Sequence, residues 1–267
     1  PTCDMTQYPV FPWIISEFKS DVLNLYNNNN CLNDDDVNKG PSSAHHKNPS
    51  FRDLSLPMGQ IGKKRSERFN EFYKDTNNQY YYGTHYMHYG VVLYFMFRVD
   101  PFTFFSIELN KGWDHPNRVF CNLADSWMSA AFNSPADLKE VIPQFFLVPE
   151  IFENTSHLPL TKNDEGNSVA SVKLPNWAKN AREMSDILLK LIECDYVQKN
   201  INHWIDLIFG DKSRGQSARD VKNLFHPLCY APVRKHKETG DENDPESLED
   251  DVSREASIIS IINFGQC

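Results

Sequence analysis

The stretch Gly210-Asp-Lys-Ser-Arg-Gly215-Gln216-Ser217 has two glycines with four residues between them and a serine where a phosphate loop would place its magnesium ligand. Gln216 stands where such a loop carries the lysine that neutralises the β- and γ-phosphates. The residues before it have helical apolar spacing, whereas a phosphate loop follows a strand. A helix end and turn is the better reading. His85 and His88 stand at i, i+3 in Thr84-His-Tyr-Met-His88, and His115 follows Asp114. No glutamate and second histidine in HExxH spacing accompany them, so packing or hydrogen bonding is the expected role. His203, beside Trp204, is expected to cap or pack. Glu108 with Asp114, and Asp125 with Glu140, have the chemistry of hydrolase carboxylates, but their spacing fits caps and salt bridges equally well. No GxSxG elbow, kinase HRD or DFG, or GxGxxG is present. The enzymatic alternative is a hydrolase acting on a phosphate or lipid through His85, Asp114 and His115. It requires those three side chains to converge in one open pocket.

Cysteine chemistry is equally sparse. Cys3, Cys31, Cys121, Cys194, Cys229 and Cys267 include no CxxC pair, which leaves neither a zinc set nor a dense disulfide scaffold. Reduced thiols in a cytosolic protein are expected, Cys121, Cys194 and Cys229 being inert in apolar or helical surroundings. No cofactor and no metal is implied.

The elements that position these residues read mainly as helices. Asp114-His115-Pro116 ahead of Val119, Leu123, Trp127 and Ala130 resembles a capped start with i, i+4 spacing. Ser134, Pro135 and Asp137 have the pattern of a second cap, first-turn proline and capping-box acid. Asn180 to Glu183 forms a capping box ahead of the apolar face Met184, Ile187, Leu188, Leu191 and Ile192. Val197, Ile201, Trp204, Ile205 and Ile208 form another face, with Gly210 suited to the position after the helix. Residues 86–97 read as a buried helix stopped by Pro101, and Phe102 to Leu109 as a strand or extended buried segment. Sixteen prolines, many beside hydrophobic residues, resist long helices and central strands. The fold class is therefore mainly α: short helices around a core containing extended irregular segments, with few or no strands. Such backbone needs polar side chains as partners.

The formal net charge of −9 on 267 residues is unevenly placed. Residues 237–255 carry a local charge of −7 and the remainder only −2. A nearly neutral body argues against a nucleic-acid partner. It also lacks the polybasic patch that anionic lipid requires, so membrane contact is expected to be indirect. Lys63, Lys64, Arg65 and Arg68 form the largest basic cluster, read as a solvated helix face. The longest apolar run, Val91 to Phe97, is too short to span a bilayer. Residues 27–50, rich in Asn and Asp, and the acidic 235–256 read as mobile inserts within a single domain covering 1–267. The chain starts at Pro1 without an initiator methionine and is expected to be part of something larger.

Word-like stretches run along the whole chain: TQYPVFPW at 6–13, FRDLS at 51–55, YGTHY at 82–86, DPFT at 100–103, and Trp113-Asp114-His115-Pro116. LPxWA at 174–178, HWIDLIFG at 203–210 and NFGQ at 263–266 follow. In identity and order they resemble the BEACH domain of membrane-trafficking scaffolds. Leu56 and Asp211 depart from the family, which has a basic residue and an aromatic at those places. The resemblance implies an α-rich fold with unhelical segments in its core. It also implies a non-catalytic protein-interaction module with no catalytic residue to carry over, cytoplasmic and peripherally associated with endomembranes. Vesicle trafficking, lysosome-related organelles and autophagy are the implied settings. Implied partners are an upstream pleckstrin-homology-like (PH-like) domain and a downstream WD-repeat propeller of the same protein, and other trafficking proteins. The join to the upstream domain is expected to use an exposed apolar-aromatic patch, for which Tyr80, Tyr81, Trp113, His115 and Arg118 are the candidate residues.

Overall fold

Proline-punctuated apolar segments cannot pair as strands, and here they thread between short helices. The structure, a computed structural model, describes residues 5, 8–16, 18, 50–230, 255–256 and 258–265. The expected inserts therefore lie outside the described residues except at Ser50, Glu255 and Ala256, as do Cys3, Cys31 and Cys267. In order come α1 (Lys63–Asp75), α2 (Tyr89–Met96), α3 (Phe102–Asn110), α4 (Leu123–Met128), α5 (Gln144–Leu147), α6 (Ala181–Ile192), α7 (Asp195–Ile208) and α8 (Gly215–Asp220). A helical segment over 258–264 ends the described chain. Among the described residues β structure is confined to isolated bridges, such as Phe11 with Val141, Ile15 with Phe51 and Tyr82 with Phe225. The fold is mainly α, as expected.

Aromatic side chains make the centre. Trp13 packs on Trp127 at 5.6 Å between ring centroids and on Phe145 at 5.8 Å, and Phe95 meets Phe145 at 4.8 Å. Each such ring contributes roughly 1.5–3 kcal/mol on burial. The irregular backbone threaded through this core takes its hydrogen bonds from charged and amide side chains. Arg98 donates from Nε to Ala170 O at 2.8 Å and from Nη2 to Val169 O at 2.9 Å. Asn223 donates to Leu207 O and Lys212 O at 2.8 and 2.9 Å, and Arg65 donates to the carbonyls of Ala130 and Asp137. At the hub, Glu140 accepts from Trp13 N at 3.1 Å, Trp204 Nε1 at 3.0 Å and Arg52 Nη1 at 2.6 Å. Arg52 and Glu140 are 1% and 0% exposed, which makes this a buried ion pair.

Several local expectations hold. Asn180 caps α6 by accepting from Glu183 N at 2.9 Å, and Glu183 reaches back to Lys179 N at 2.7 Å. Pro143 and Pro149 bound a four-residue α5 and a four-residue 3-10 turn. Five local expectations need correction. Phe102 to Leu109 is helical, and Thr103 is the only buried residue of α3. Asp114 starts no helix: residues 121–123 are drawn into a bridge with Lys173, and α4 begins after Asn122, whose side chain accepts from Ala124 N at 3.1 Å. Ser134 accepts from Ala136 N and Asp137 N as a cap does, yet no helix follows, because Glu140 N is taken by Tyr86 O and Val141 pairs with Phe11. In the basic cluster Lys63, Lys64 and Arg68 are solvated, but Arg65 is buried, its pKa pushed down to about 10 by burial, with Asp137 opposing. On α7, Ile205 turns outward at 43% exposure.

A candidate binding cleft and the exposed face beside it

The irregular stretch after Ser134 sends two successive charges to different surroundings. Glu140 enters the core hub, while Lys139 lines a cleft of about 850 Å³. Its walls come from four separate stretches: 84–94, 117–126, 129–139 and 163–165. Lys139 donates from Nζ to the Asp137 carboxylate and lies 4.9 Å from the Tyr94 ring centroid. Asp137 also accepts from Ser129 Oγ at 2.7 Å. Burial would raise the Asp137 carboxyl, but Lys139 and these bonds outweigh it and the net shift is downward. Burial lowers the Lys139 ammonium against the opposing pull of Asp137. This pair is internal to the wall.

Two histidines also face the cleft. His85 is pushed down to about 4, chiefly by burial, its bond to the Met87 backbone acting the other way and His88 adding to the fall. His88 is lowered by burial and by Lys139, with Asp137 opposing. Both are neutral imidazoles at neutral pH. Cys121 lies on the same wall. Burial raises its thiol, Arg98 opposes, and the carboxylates of Asp125 and Glu165 raise it further. A protonated thiol is a poor nucleophile. The loop carrying Glu165 is tied across by Asn117, which donates to Asp164 Oδ2 at 2.5 Å and accepts from Asp164 N at 2.9 Å.

The hydrolase residues do not converge. His85 lines the cleft; Asp114 and His115 do not. Asp114 Oδ1 is occupied by Arg118 Nε at 2.8 Å and His115 N at 2.7 Å. Asp125 faces the cleft, whereas its proposed companion Glu140 lies in the core hub. The Gly210–Ser217 stretch forms the end of α7, a 3-10 turn and the start of the six-residue α8. Among the described residues no group of three or more His, Cys, Asp or Glu could hold a metal. None of their helices is long and apolar enough to cross a membrane.

Of the interface candidates, Trp113, His115 and Arg118 share one exposed loop, with Trp113 at 44% exposure and Arg118 on the cleft rim. α3 leads directly into that loop and leaves Phe104 59% and Leu109 51% exposed. Tyr80 and Tyr81 go elsewhere. Tyr81 is buried and stacked on Tyr73 at 4.0 Å, and Tyr80 packs on Phe72 and His226. Tyr81 has little surface to offer a partner. His88 and Asp125 stand out in the sequence only with other companions, His85 and Glu140, and nothing there joins them to Lys139, Asp137 and Glu165, which line the same cleft. The tandem charges of Lys139-Glu140 between Leu138 and Val141 were the available signal.

The sequence model of the Beige/BEACH domain matches residues 2–267. The chain is 35% identical over 271 residues to BEACH domain-containing protein A2 of Arabidopsis thaliana, covering 98% of this chain and 7% of that protein. It is 36% identical over 267 residues to BEACH domain-containing protein lvsD of Dictyostelium discoideum, covering 98% of this chain and 8% of that protein. Protein SPIRRIG of Arabidopsis thaliana is 34% identical over 273 residues, again 98% of this chain and 7% of that protein. The chain thus spans less than a tenth of the length of these curated relatives. With a family match over nearly its full length and a helical fold holding unhelical segments in its core, the chain belongs to the Beige/BEACH domain family.

Proposed function

We propose that this chain is a non-catalytic interaction module of a large scaffold protein in vesicle trafficking, lysosome-related organelle or autophagy pathways. It would be cytoplasmic, reaching endomembranes through partners. The observation that carries the reading is α3. Its sequence FTFFSIELN has five large apolar residues, yet Thr103 is its only buried one, and it runs into an exposed loop bearing Trp113, His115 and Arg118. Apolar surface left open in this way marks a contact site. Covering Phe104 and Leu109, each about half exposed, would contribute roughly 1 kcal/mol apiece. The occupant is a PH-like domain upstream in the same protein, with a WD-repeat propeller downstream as a further neighbour. The great length of the relatives supports the presence of further domains.

The test supplies the PH-like domain in trans. A ligand of the native state raises its melting temperature with concentration. The rise is expected for the wild type and is lost with Trp113→Ala or Arg118→Glu, both of which alter exposed side chains. No rise at high concentration of a folded PH-like domain would refute the packed interface.

A further inference from the structure

Ser134-Pro135 is the one serine- or threonine-proline step in the 267 residues. We infer that Ser134 is a phosphorylation site, taking the γ-phosphoryl group of ATP from a proline-directed serine/threonine kinase. Such a site lies beyond the proposed interaction role and does not depend on which domain covers α3. A kinase of this class takes its substrate as an extended segment with free flanks, and the fold presents Ser134 in that form. Ser134 has φ −76° and ψ 141°, in the extended region that a residue before proline favours, and the Ser134–Pro135 bond is trans. Phe132, at 38%, and Asn133, Pro135 and Ala136 are exposed, while Ser134 is half-buried and lines the cleft.

Neighbouring side chains hold the segment in this shape. Residues 129–133 form one π-helical turn, closed by Ser134 N donating to Ser129 O at 3.1 Å. Such wide turns are rare and recur at functional sites. Arg65, 3% exposed, clasps both sides of the turn by donating to the carbonyls of Ala130 and Asp137. Thr84 Oγ1 donates to Ala136 O at 3.0 Å, and Ser129 Oγ to Asp137 Oδ2 at 2.7 Å. The extended form therefore belongs to the folded chain and needs no unfolding. In both of its side-chain bonds Ser134 Oγ is the acceptor, from Ala136 N at 3.2 Å and Asp137 N at 3.0 Å. Neither bond uses the hydroxyl hydrogen, which is the atom that transfer removes.

In the transfer the bond from Pγ to the ADP oxygen breaks as the bond from Pγ to Ser134 Oγ forms. The hydroxyl proton passes to the base of the kinase, and ADP leaves. The product carries about −1.5 to −2 charge at pH 7. Its terminal oxygens are placed to take over the Ala136 and Asp137 amides as charge-assisted bonds. The cations that line the cleft, Lys139 and Arg118, are already paired with Asp137 and Asp114. The phosphate thus makes the cleft mouth more negative, which favours a basic over an acidic neighbour there.

The folded chain is treated with a cyclin-dependent kinase, ATP and magnesium, with the free peptide of residues 129–139 as reference. Labelling within about a hundredfold of the peptide's rate is expected, since a chain reached only through global unfolding would be slower by more than about a thousandfold. Mass spectrometry should map one phosphate to Ser134, and Ser134→Ala should abolish labelling. Pro135→Ala keeps the hydroxyl and alters an exposed side chain. It should slow labelling by about tenfold or more, because it brings an N–H that the kinase leaves unmet. In the labelled wild type the Ala136 and Asp137 amide resonances should move downfield as the phosphate ionises near about pH 6. Labelling more than about a hundredfold slower than the peptide, phosphate mapped elsewhere, undiminished labelling of either variant, or amides that do not move would each overturn the inference.

Discussion

Replacing Glu140 by glutamine should cost this fold more than any exposed charge could. The carboxylate accepts three hydrogen bonds, from Trp13 N, Arg52 Nη1 and Trp204 Nε1, at a site 0% exposed. A glutamine has one acceptor oxygen and one NH2, so it must turn a donor toward either Trp204 or the Trp13–Arg52 pair. That leaves at least one buried donor unmet, at about 1–3 kcal/mol. Arg52, 1% exposed, also loses its counter-charge, and breaking a buried pair costs about 3–5 kcal/mol in total. Native proteins are stable by only about 5–15 kcal/mol, so the variant should fold marginally. With an m-value of about 3 kcal/mol per molar urea, a 3 kcal/mol loss moves the denaturation midpoint by about 1 M. The double variant Arg52→Met, Glu140→Gln removes the orphaned charge and should recover about 2–3 kcal/mol relative to the sum of the singles. A loss under about 1 kcal/mol for Glu140→Gln, or strict additivity in the cycle, would refute the account of the hub.

Acid should destabilise the chain through His85. Its pKa is 6.5 in the ordinary state and about 4 when folded, so the unfolded chain binds the extra proton between those values. The stability from the neutral ring is complete above pH 6.5, falls as pH drops and is gone below about 4, a loss of about 3 kcal/mol. Urea melts of His85→Phe should show a flatter pH dependence in that window, and parallel curves would refute it. Gly265 has φ +90°, and a Cβ there would lie 2.2 Å from Met87 O. Gly265→Ala should therefore loosen the 258–264 segment and speed hydrogen exchange at His85 N, which donates to Phe264 O at 2.7 Å; unchanged exchange counts against it. At Gly59 a Cβ would come within 2.2 Å of the Tyr82 ring. Gly59→Ala should lower the melting temperature by several degrees, about 1–3 kcal/mol of overpacking, while a melt within error of wild type would show that Tyr82 can shift.

The parts of the fold legible in the sequence are those whose physics is local. Asn180 and Glu183 announce α6 because cap and acid are three residues apart, and the prolines announce irregular core backbone because each removes a donor. Phe102 to Leu109 misled because its apolar residues are not arranged to fill this chain's own core; α3 holds them on the surface, so no one-sided helical pattern is visible. Ser134 shows a cap's chemistry without its helix, since Val141 is claimed by Phe11, some 130 residues away. The cleft was illegible for the same reason. Its groups come from four stretches that only the folded chain brings together, and Arg65 looked like surface charge until its carbonyl partners were in place. The BEACH resemblance supplied the family without any of this geometry.

The bridge between Phe11 and Val141, with the Trp13 bonds beside it, also bears on how the chain comes off the ribosome. Trp13 meets Glu140 across 127 residues of sequence, and Glu140 meets Trp204 across a further 64. At about 5–20 residues per second, the aromatic strip around Trp13 emerges roughly 6–25 seconds before Glu140. It emerges longer still before the hub can close. Throughout that interval Val10, Trp13, Ile14 and Ile15, all buried in the finished fold, have only their earlier partners, such as Phe51 beside Ile15 and Phe95 beside Trp13, to cover them. Contacts so distant in sequence also slow the closing search itself. Newly made copies of this domain thus hold part of their core open until the hub closes, and crosslinking of Trp13 to ribosome-associated chaperones should fall away once residue 204 has cleared the exit tunnel.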